Sequence, residues 1–341
     1  MSLPPVEIPL GAMRFNSDSQ KLEYWMGSAW MQIQTFSPNL DGGARGVFFF
    51  AFDDTNNPKM VDYITIPTQG NAIDFGDMTG NATFYGGAFS SSTRGVYFGG
   101  APGGGRNEIQ FITFSSTGNS QDFGDLTGTI QYNPVGVSNK TRGIRCGGAL
   151  VPTTSVNILD YVTIASTGNA QDFGDMVRER RFAYSTNSSI RGFVTGGGDG
   201  PSKFTDTEFI TIPTTGNSIT FGELTSTHDQ GTNGVICSPT RGIMAGGSNP
   251  ALTSSIKKIE MSSLGNYQEF GDLSAGRFYL GGCSNAVRGV FGGGYFPSPA
   301  DYLNTIEYIS ISTGGDAVDF GDRTVEGSYL SGASNAHGGL G

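Results

Sequence analysis

The chain repeats itself at a period near 49 residues, and this periodicity constrains the fold more than any single motif. A phrase close to T-G-N-x-x-D-F-G-D-L recurs six times. Its phenylalanine falls at Phe75, Phe123, Phe173, Phe221, Phe270 and Phe320, in steps of 48, 50, 48, 49 and 50. A second phrase, R-G followed by apolar residues and a glycine pair, places glycines at Gly46, Gly95, Gly143, Gly192, Gly242, Gly289 and Gly339. Those steps are 49, 48, 49, 50, 47 and 50. Two separate phrases sharing one period mark a repeat architecture, in which each unit buries its apolar surface only against its neighbours.

Each unit reads as four short strands. The first follows the D-F-G-D phrase, as in Arg181–Tyr184 or Arg277–Leu280, and the second is the R-G segment, as in Arg94–Gly100. The third is apolar or aromatic on both faces (Tyr63-Ile64-Thr65-Ile66, Tyr161-Val162-Thr163-Ile164), and the fourth ends at the repeated phenylalanine. β-branched and aromatic residues between Gly, Asn, Ser and Thr clusters are a strand signal, and no window sustains a helical period. Third strands apolar on both faces suit sheets sandwiched between sheets, the geometry of propeller blades. The last copy, from Ser334, stops in its second strand, while Lys21–Trp25 and Ala29–Ile33 resemble a missing third and fourth, with Trp30 in the place of the repeated phenylalanine. The expected fold is all-β: one domain over 1–341, a seven-bladed propeller of four-stranded blades. Residues 1–33 are its closing strands, 34–326 six repeats, and 327–341 the C-terminal half of a composite blade built from both termini.

Composition narrows the function classes. Glycine supplies 54 of 341 residues, yet charged residues reach only 15% and aromatics 11%, which is the reverse of a disordered chain. A net charge of -10 repels phosphate backbones and anionic membranes, so no nucleic-acid partner is expected. Val47–Phe52, the strongest apolar run, is too short to span a bilayer, so no membrane insertion is expected either. The N-terminal residues lack the basic and apolar regions of a signal peptide. Cys146, Cys237 and Cys283 have neither disulfide nor zinc spacing and are expected to be small buried side chains.

The glycine pairs Gly99-Gly100, Gly147-Gly148, Gly196-Gly197, Gly246-Gly247 and Gly292-Gly293, with the aromatics of the third and fourth strands, resemble the kelch repeat. The first unit departs from it with Phe50-Ala51, and phenylalanine stands for the kelch tryptophan everywhere except Trp30. The S-T-G-N-A-x-D-F-G-D and R-G-V-F-x-G-G forms also resemble repeats in virion proteins of tailed bacteriophages, marine and cyanophage ones in particular. Gly11–Trp25, completed by Gly27-Ser28-Ala29-Trp30, is similar to a module of phage fibre and appendage proteins. These resemblances imply a kelch-like propeller and a non-enzymatic structural or attachment protein of the virion, assembled in the host cytoplasm. Its place would be the tail, baseplate or an outer appendage, and its partners other virion proteins and a host-surface glycan or protein receptor. A glycan-cleaving propeller enzyme and a capsid decoration protein are the alternatives.

Individual residues carry little visible chemistry. The D-F-G triplet lacks the catalytic loop and lysine strand of a kinase. The repeated carboxylates (Asp74, Asp77, Asp122, Asp125, Asp172, Asp175, Asp319, Asp322 and Glu223) are expected to cap turns. Arg45, Arg94, Arg142, Arg191, Arg241 and Arg288 recur in every unit, as expected of ties between neighbouring blades, whereas Arg178, Arg180 and Arg181 read as a solvated cluster. With two histidines, His228 and His337, no G-x-S-x-G elbow and no ligand-type cluster, no catalytic residue, metal or cofactor is expected. Function falls instead to the connections between second and third strands: Asp53–Lys59, Ala101–Asn107, Gly198–Lys203 and Tyr295–Tyr302. Within them Tyr295, Phe296, Tyr302, Asn107 and Lys203 are the candidate binding residues.

Overall fold

The computed structural model describes residues 8–16, 21–32, 44–49, 52, 59–79, 84–101, 104–249 and 251–340. Among them the chain is all-β, without an α-helix, and is built from small antiparallel sheets in two compact units, Met1–Gly43 and Ala44–Gly341. The first unit is a three-stranded meander of Met13–Asn16, Lys21–Trp25 and Trp30–Gln32. Trp25 pairs with Trp30 across it, their rings 5.5 Å apart, and Arg14 lies 4.2 Å over Trp30.

The second unit holds six sheets that follow the repeat. Sheet 1 joins Ser331–Ser334 to Arg45–Phe49, Met60–Thr65 and Ile73–Asp77. Sheet 2 is Gly87–Ser90, Arg94–Phe98, Arg106–Thr113 and Gln121–Tyr132, extended by a short hairpin, Ala149–Leu150 and Thr154–Ser155. Sheets 3 and 4 run from Val135–Ser138 to Gln171–Asp175 and from Tyr184–Asn187 to Ile219–Glu223, each with four strands. Sheet 5 has Arg241–Ala245, Ser255–Glu260 and Gln268–Asp272, with a Cys237–Gly242 bridge where the others have a full first strand. Sheet 6 is Gly281–Ser284, Arg288–Gly292, Thr305–Ser310 and Val318–Asp322.

Two expectations about the termini are corrected here. Lys21–Trp25 and Trp30–Gln32 pair with each other and with Met13–Asn16, and the C-terminal strand Ser331–Ser334 takes Arg45–Phe49 as its partner. The composite sheet therefore joins the C-terminal strand to the first repeat, and six sheets follow the repeat among the described residues. The copy ending at Gly339 is no strand: Gly338–Leu340 form a buried 3-10 turn. Gly338 N–H donates to the Cys237 carbonyl, and a Cβ on Gly339 would meet Asn187 Nδ2 at 1.8 Å. The first strands also begin later than expected, after Tyr279 and Phe182, because those two residues take positive φ and break the extended chain.

Burial grades outward through each sheet. First strands are buried throughout, second strands after their arginine, and outer strands are largely exposed except around the repeated phenylalanine and, in the longer Gln121–Tyr132, at Leu126 and Ile130. In five sheets that phenylalanine meets the third-strand aromatic edge to face, with centroids 5.8–5.9 Å apart (Tyr63–Phe75, Phe111–Phe123, Tyr161–Phe173, Phe209–Phe221, Tyr308–Phe320).

The repeated arginines tie sheets together, through carbonyls rather than carboxylates. Arg94, Arg142 and Arg241 donate from Nη1 to the carbonyls of Ile164, Ile212 and Ile311, each 70 residues on, and Arg288 to Ile66. The G-N turn of one sheet binds the outer strand of the sheet before it. Gly118 N–H donates to the Phe75 carbonyl and Ser120 N–H to that of Asp77, and the same pair recurs as Gly168 and Ala170 on Phe123 and Asp125. Gly70 and Ala72 of sheet 1 make these bonds to Phe320 and Asp322 of sheet 6. The capping side chain is the asparagine of the phrase: Asn119, Asn169, Asn217, Asn266 and Asn71 each accept from a backbone N–H of the preceding sheet. Among the repeated carboxylates Asp74 caps a turn, accepting from Gly76 N–H.

Candidate functional site

The connection entering each first strand carries a residue with positive φ that is not glycine: Tyr85 (66°), Asn133 (22°), Phe182 (56°), Gln230 (59°), Tyr279 (58°) and Tyr329 (57°). They recur in steps of 48, 49, 48, 49 and 50, one per sheet. A bulky side chain in this left-handed region costs about 1–3 kcal/mol, and such strain persists only where the surroundings over-determine it. Here backbone hydrogen bonds run from one such residue to the next. Phe182 N–H donates to the Asn133 carbonyl, Gln230 to Phe182 and Tyr279 to Gln230, at 3.2, 3.2 and 2.8 Å.

The aromatic rings at and beside these positions cluster. Tyr329 lies 4.0 Å from Tyr279 and 4.1 Å from Tyr85, centroid to centroid, and Tyr85 lies 6.2 Å from Phe182 and 5.1 Å from Tyr132. All five rings are half-buried. Burial first, then the neighbouring tyrosines, hold the phenols of Tyr279 and Tyr329 well above the usual tyrosine range, so both stay protonated hydroxyls.

The connections between second and third strands reach the same cluster. Isolated bridges join Phe84 to Ala101, Arg181 to Gly198, Asp229 to Ser248 and Phe278 to Tyr295. Among the expected binding residues, Tyr295 and Tyr302 pair across the hairpin of Tyr295–Pro297 and Ala300–Tyr302, rings 5.0 Å apart. Tyr302 lies 6.1 Å from Phe52, itself 5.7 Å from Tyr329. Phe296 is half-buried opposite Asp301 on this hairpin. Lys203 bonds Asp229 Oδ1 at 3.0 Å and Ser248 Oγ at 3.1 Å, so it ties sheet 4 to the sheet 5 connection. Asn107 is exposed on the strand Arg106–Thr113 and stands outside the aromatic cluster. Residues 53–58, within the Asp53–Lys59 connection, Phe50-Ala51 and residues 102–103 lie outside the described residues.

Arg180 is no solvated residue: it is 1% exposed and pairs with Glu208 and with Asp206, the latter at 2.6 Å. Arg178 is the exposed member, 3.6 Å from Asp206, and Arg181 lies 5.6 Å over both Tyr132 and Phe182. Arg180 belongs to a set that sequence reading missed. Each third strand carries a buried polar residue at one repeat position (Asp62, Gln110, Asp160, Glu208, Lys257, Glu307), paired with Arg323, Thr79 and Ser120, Arg145, Arg180, Glu269 and Arg277 respectively. The signal was a polar residue at the same repeat position of every third strand. Where both partners are buried, as in Arg145–Asp160, Arg180–Glu208, Arg277–Glu307 and Arg323–Asp62, removing one partner leaves an uncompensated charge and is costly.

At the other end of the first strands, Ser90, Ser138, Asn187, Cys237, Ser284 and Ser334 occupy one repeat position, all buried. Ser138 Oγ donates to the Ser90 carbonyl, Ser90 Oγ to that of Ser334 and Asn187 Nδ2 to that of Ser138, each at 2.7 Å. Ser334 donates to Ser284, and Ser284 to Cys237. Burial lowers the His337 pKa to about 4, and its Nδ1 lies 3.9 Å from Cys237 Sγ in this layer. Burial likewise raises the Cys237 thiol to about 12, the state of an inert packing residue.

The two ends of the first strands thus differ. One is dense with small hydroxyls and the C-terminal turn, and the other presents half-exposed aromatic rings, amides and loops on a strained, hydrogen-bonded base. Of these two ends, the second is the more exposed among the described residues. Comparison with protein-family models and with curated proteins returns no match for this chain.

Proposed function

We propose that the six sheets are the blades of a propeller and that the protein is a non-enzymatic structural or attachment component of a bacteriophage virion. Its aromatic face would dock other virion proteins or a host-surface receptor. The observation that carries the docking role is the convergence, on one set of strand ends, of the six positive-φ residues with the Tyr295–Tyr302 hairpin. Such a surface is built on rigid strands and finished by short loops, which suits recognition. The ring arrangement is supported by the bonds from sheet 1 to sheet 6, which continue the pattern between consecutive sheets. Assignment to a virion rests on the resemblance of the repeats and of Gly11–Trp30 to phage structural proteins.

The test is location. Virions purified from the infection that expresses this chain should contain it in fixed copy number, and gold-labelled antibody should mark one place on the particle. A chain abundant in the lysate but absent from purified virions overturns the proposal.

A further inference from the structure

We infer that the seam between sheets 4 and 5 is an acid-sensitive latch next to the aromatic face. His228 and Lys257 stand there, where the seams on either side hold an arginine and a glutamate. The latch depends on sheet packing alone, not on virion membership.

One repeat position, seven residues after the repeated phenylalanine, holds Arg180, His228 and Arg277 in three successive repeats. Each of these residues joins two sheets. Its backbone carbonyl accepts from a glycine of the sheet before it: Gly148, Gly197 and Gly247 N–H donate to Arg180, His228 and Arg277 at 2.9, 2.8 and 2.9 Å. The side chains of Arg180 and Arg277 pair with Glu208 and Glu307, the buried third-strand residues of sheets 4 and 6. At the same position sheet 5 carries Lys257, so His228 feels a cation where its counterparts meet a carboxylate.

A neutral imidazole suits this place. His228 is 1% exposed, and its Nδ1 lies 3.0 Å from the Ser226 carbonyl, which can only accept, so the ring proton sits on Nδ1. Nε2 is buried without a hydrogen-bond partner among the described residues. A second proton must go to Nε2 and makes a buried cation beside Lys257. Glu269 is the carboxylate that bears on both, but it is largely exposed, already bonds Lys257 and accepts from Ser255 Oγ at 2.7 Å. Asp229, the next residue along, is bonded to Lys203. Burial, together with Lys257, outweighs the Ser226 carbonyl and Glu269 and holds His228 below the ordinary 6.5.

Opening the seam frees the imidazole to titrate at its ordinary value, so opening becomes easier as pH falls below 6.5. The seams of Arg180 and Arg277 have no histidine at this position and should not follow. Gln230, two residues after His228, is one of the positive-φ residues under the aromatic face, so opening here alters that face.

Amide hydrogen exchange of the full chain, followed by NMR at pH 7 and pH 5 and corrected for the intrinsic effect of pH, is the test. Protection of Gly197 N–H should fall about tenfold at the lower pH, while that of Gly148 and Gly247 changes less than about twofold. His228→Gln, neutral at both pH values, should abolish the fall. His228→Arg with Lys257→Glu, which installs the pair of the neighbouring seams, should do the same. If the double variant does not fold, His228→Gln and the comparison of the three glycines in the parent decide. The latch is overturned if Gly197 keeps its protection, if all three glycines lose it equally, or if the loss persists in His228→Gln.

Discussion

At the scale of single residues, the most informative side chains are those in conformations their type disfavours. Gln230 holds φ at 59° without an aromatic ring to pack. Gln230→Gly should therefore stabilise the protein by roughly 1 kcal/mol, the approximate cost of a left-handed L-residue. Denaturant unfolding would show a higher midpoint at constant slope, and a lower midpoint would mean that the side chain packs more than it strains. His337 makes a second residue-scale prediction. Its folded pKa near 4 lies below the ordinary 6.5, so the unfolded chain binds the proton more readily. The stability this represents is complete above pH 6.5 and is lost as pH falls towards 4, by roughly 3 kcal/mol for a shift of this size. His228, lowered chiefly by burial, adds to the same slope. Unfolding measured from pH 7 to 4 should show the decline, and His337→Gln should flatten it; an unchanged slope would place the titrating group elsewhere. None of the six positive-φ positions was read from sequence, though they keep the period of the repeat. Apart from Asn133 they are residue types that rarely take positive φ, so no local rule flags them.

At the scale of elements, glycine in the D-F-G-D phrase shows why the repeat is written as it is. Each outer strand lies under the G-N turn of the next sheet, and a Cβ on Gly124 would meet the Gly168 carbonyl oxygen at 2.5 Å. Two backbones approach so closely there that any side chain must push the sheets apart. Gly124→Ala should cost several kcal/mol, in the range of overpacked core sites, while Asn169→Ala, which removes only the cap on Asp125 N–H, should cost about 1 kcal/mol. Equal losses from the two, read by thermal or denaturant unfolding, would contradict this division of labour. Strand identity, the period and the sheet-tying arginines were legible because they follow from apolar alternation and from recurrence in every unit. The pairings of the buried third-strand residues were not, because no fixed spacing links them: the partner precedes Asp160, Glu208 and Glu307 (Arg145, Arg180, Arg277), follows Lys257 (Glu269), and for Asp62 is Arg323 near the other end of the chain.

At the scale of the molecule, the decisive question is which residues complete the sheets. Lys21–Trp25 and Trp30–Gln32 carry a strand-turn-strand pattern that could belong to a hairpin in either unit, so sequence alone could not assign it. Backbone pairing assigns it to the meander of the first unit, and it gives sheet 1 the strand Ser331–Ser334 instead. Truncation separates the two possibilities. A chain beginning at Ala44 keeps all six sheets, the Ser90–Ser138–Ser334 hydroxyl bonds and the sheet 6 to sheet 1 bonds, so it should fold and unfold cooperatively with a midpoint within a few degrees of the full chain. A chain ending at Tyr329 loses the buried strand Ser331–Ser334 and the turn Gly338–Leu340 that covers Cys237 and Asn187. It exposes the edge of Arg45–Phe49, with Val47, Phe48 and Phe49 at 0% exposure in the intact molecule, and should aggregate or unfold. Circular dichroism, size exclusion and thermal unfolding of both truncations decide the matter. If the first failed to fold while the second survived, the strands that complete the repeat would lie at the N-terminus after all, and the assignment of Ser331–Ser334 to sheet 1 would be wrong.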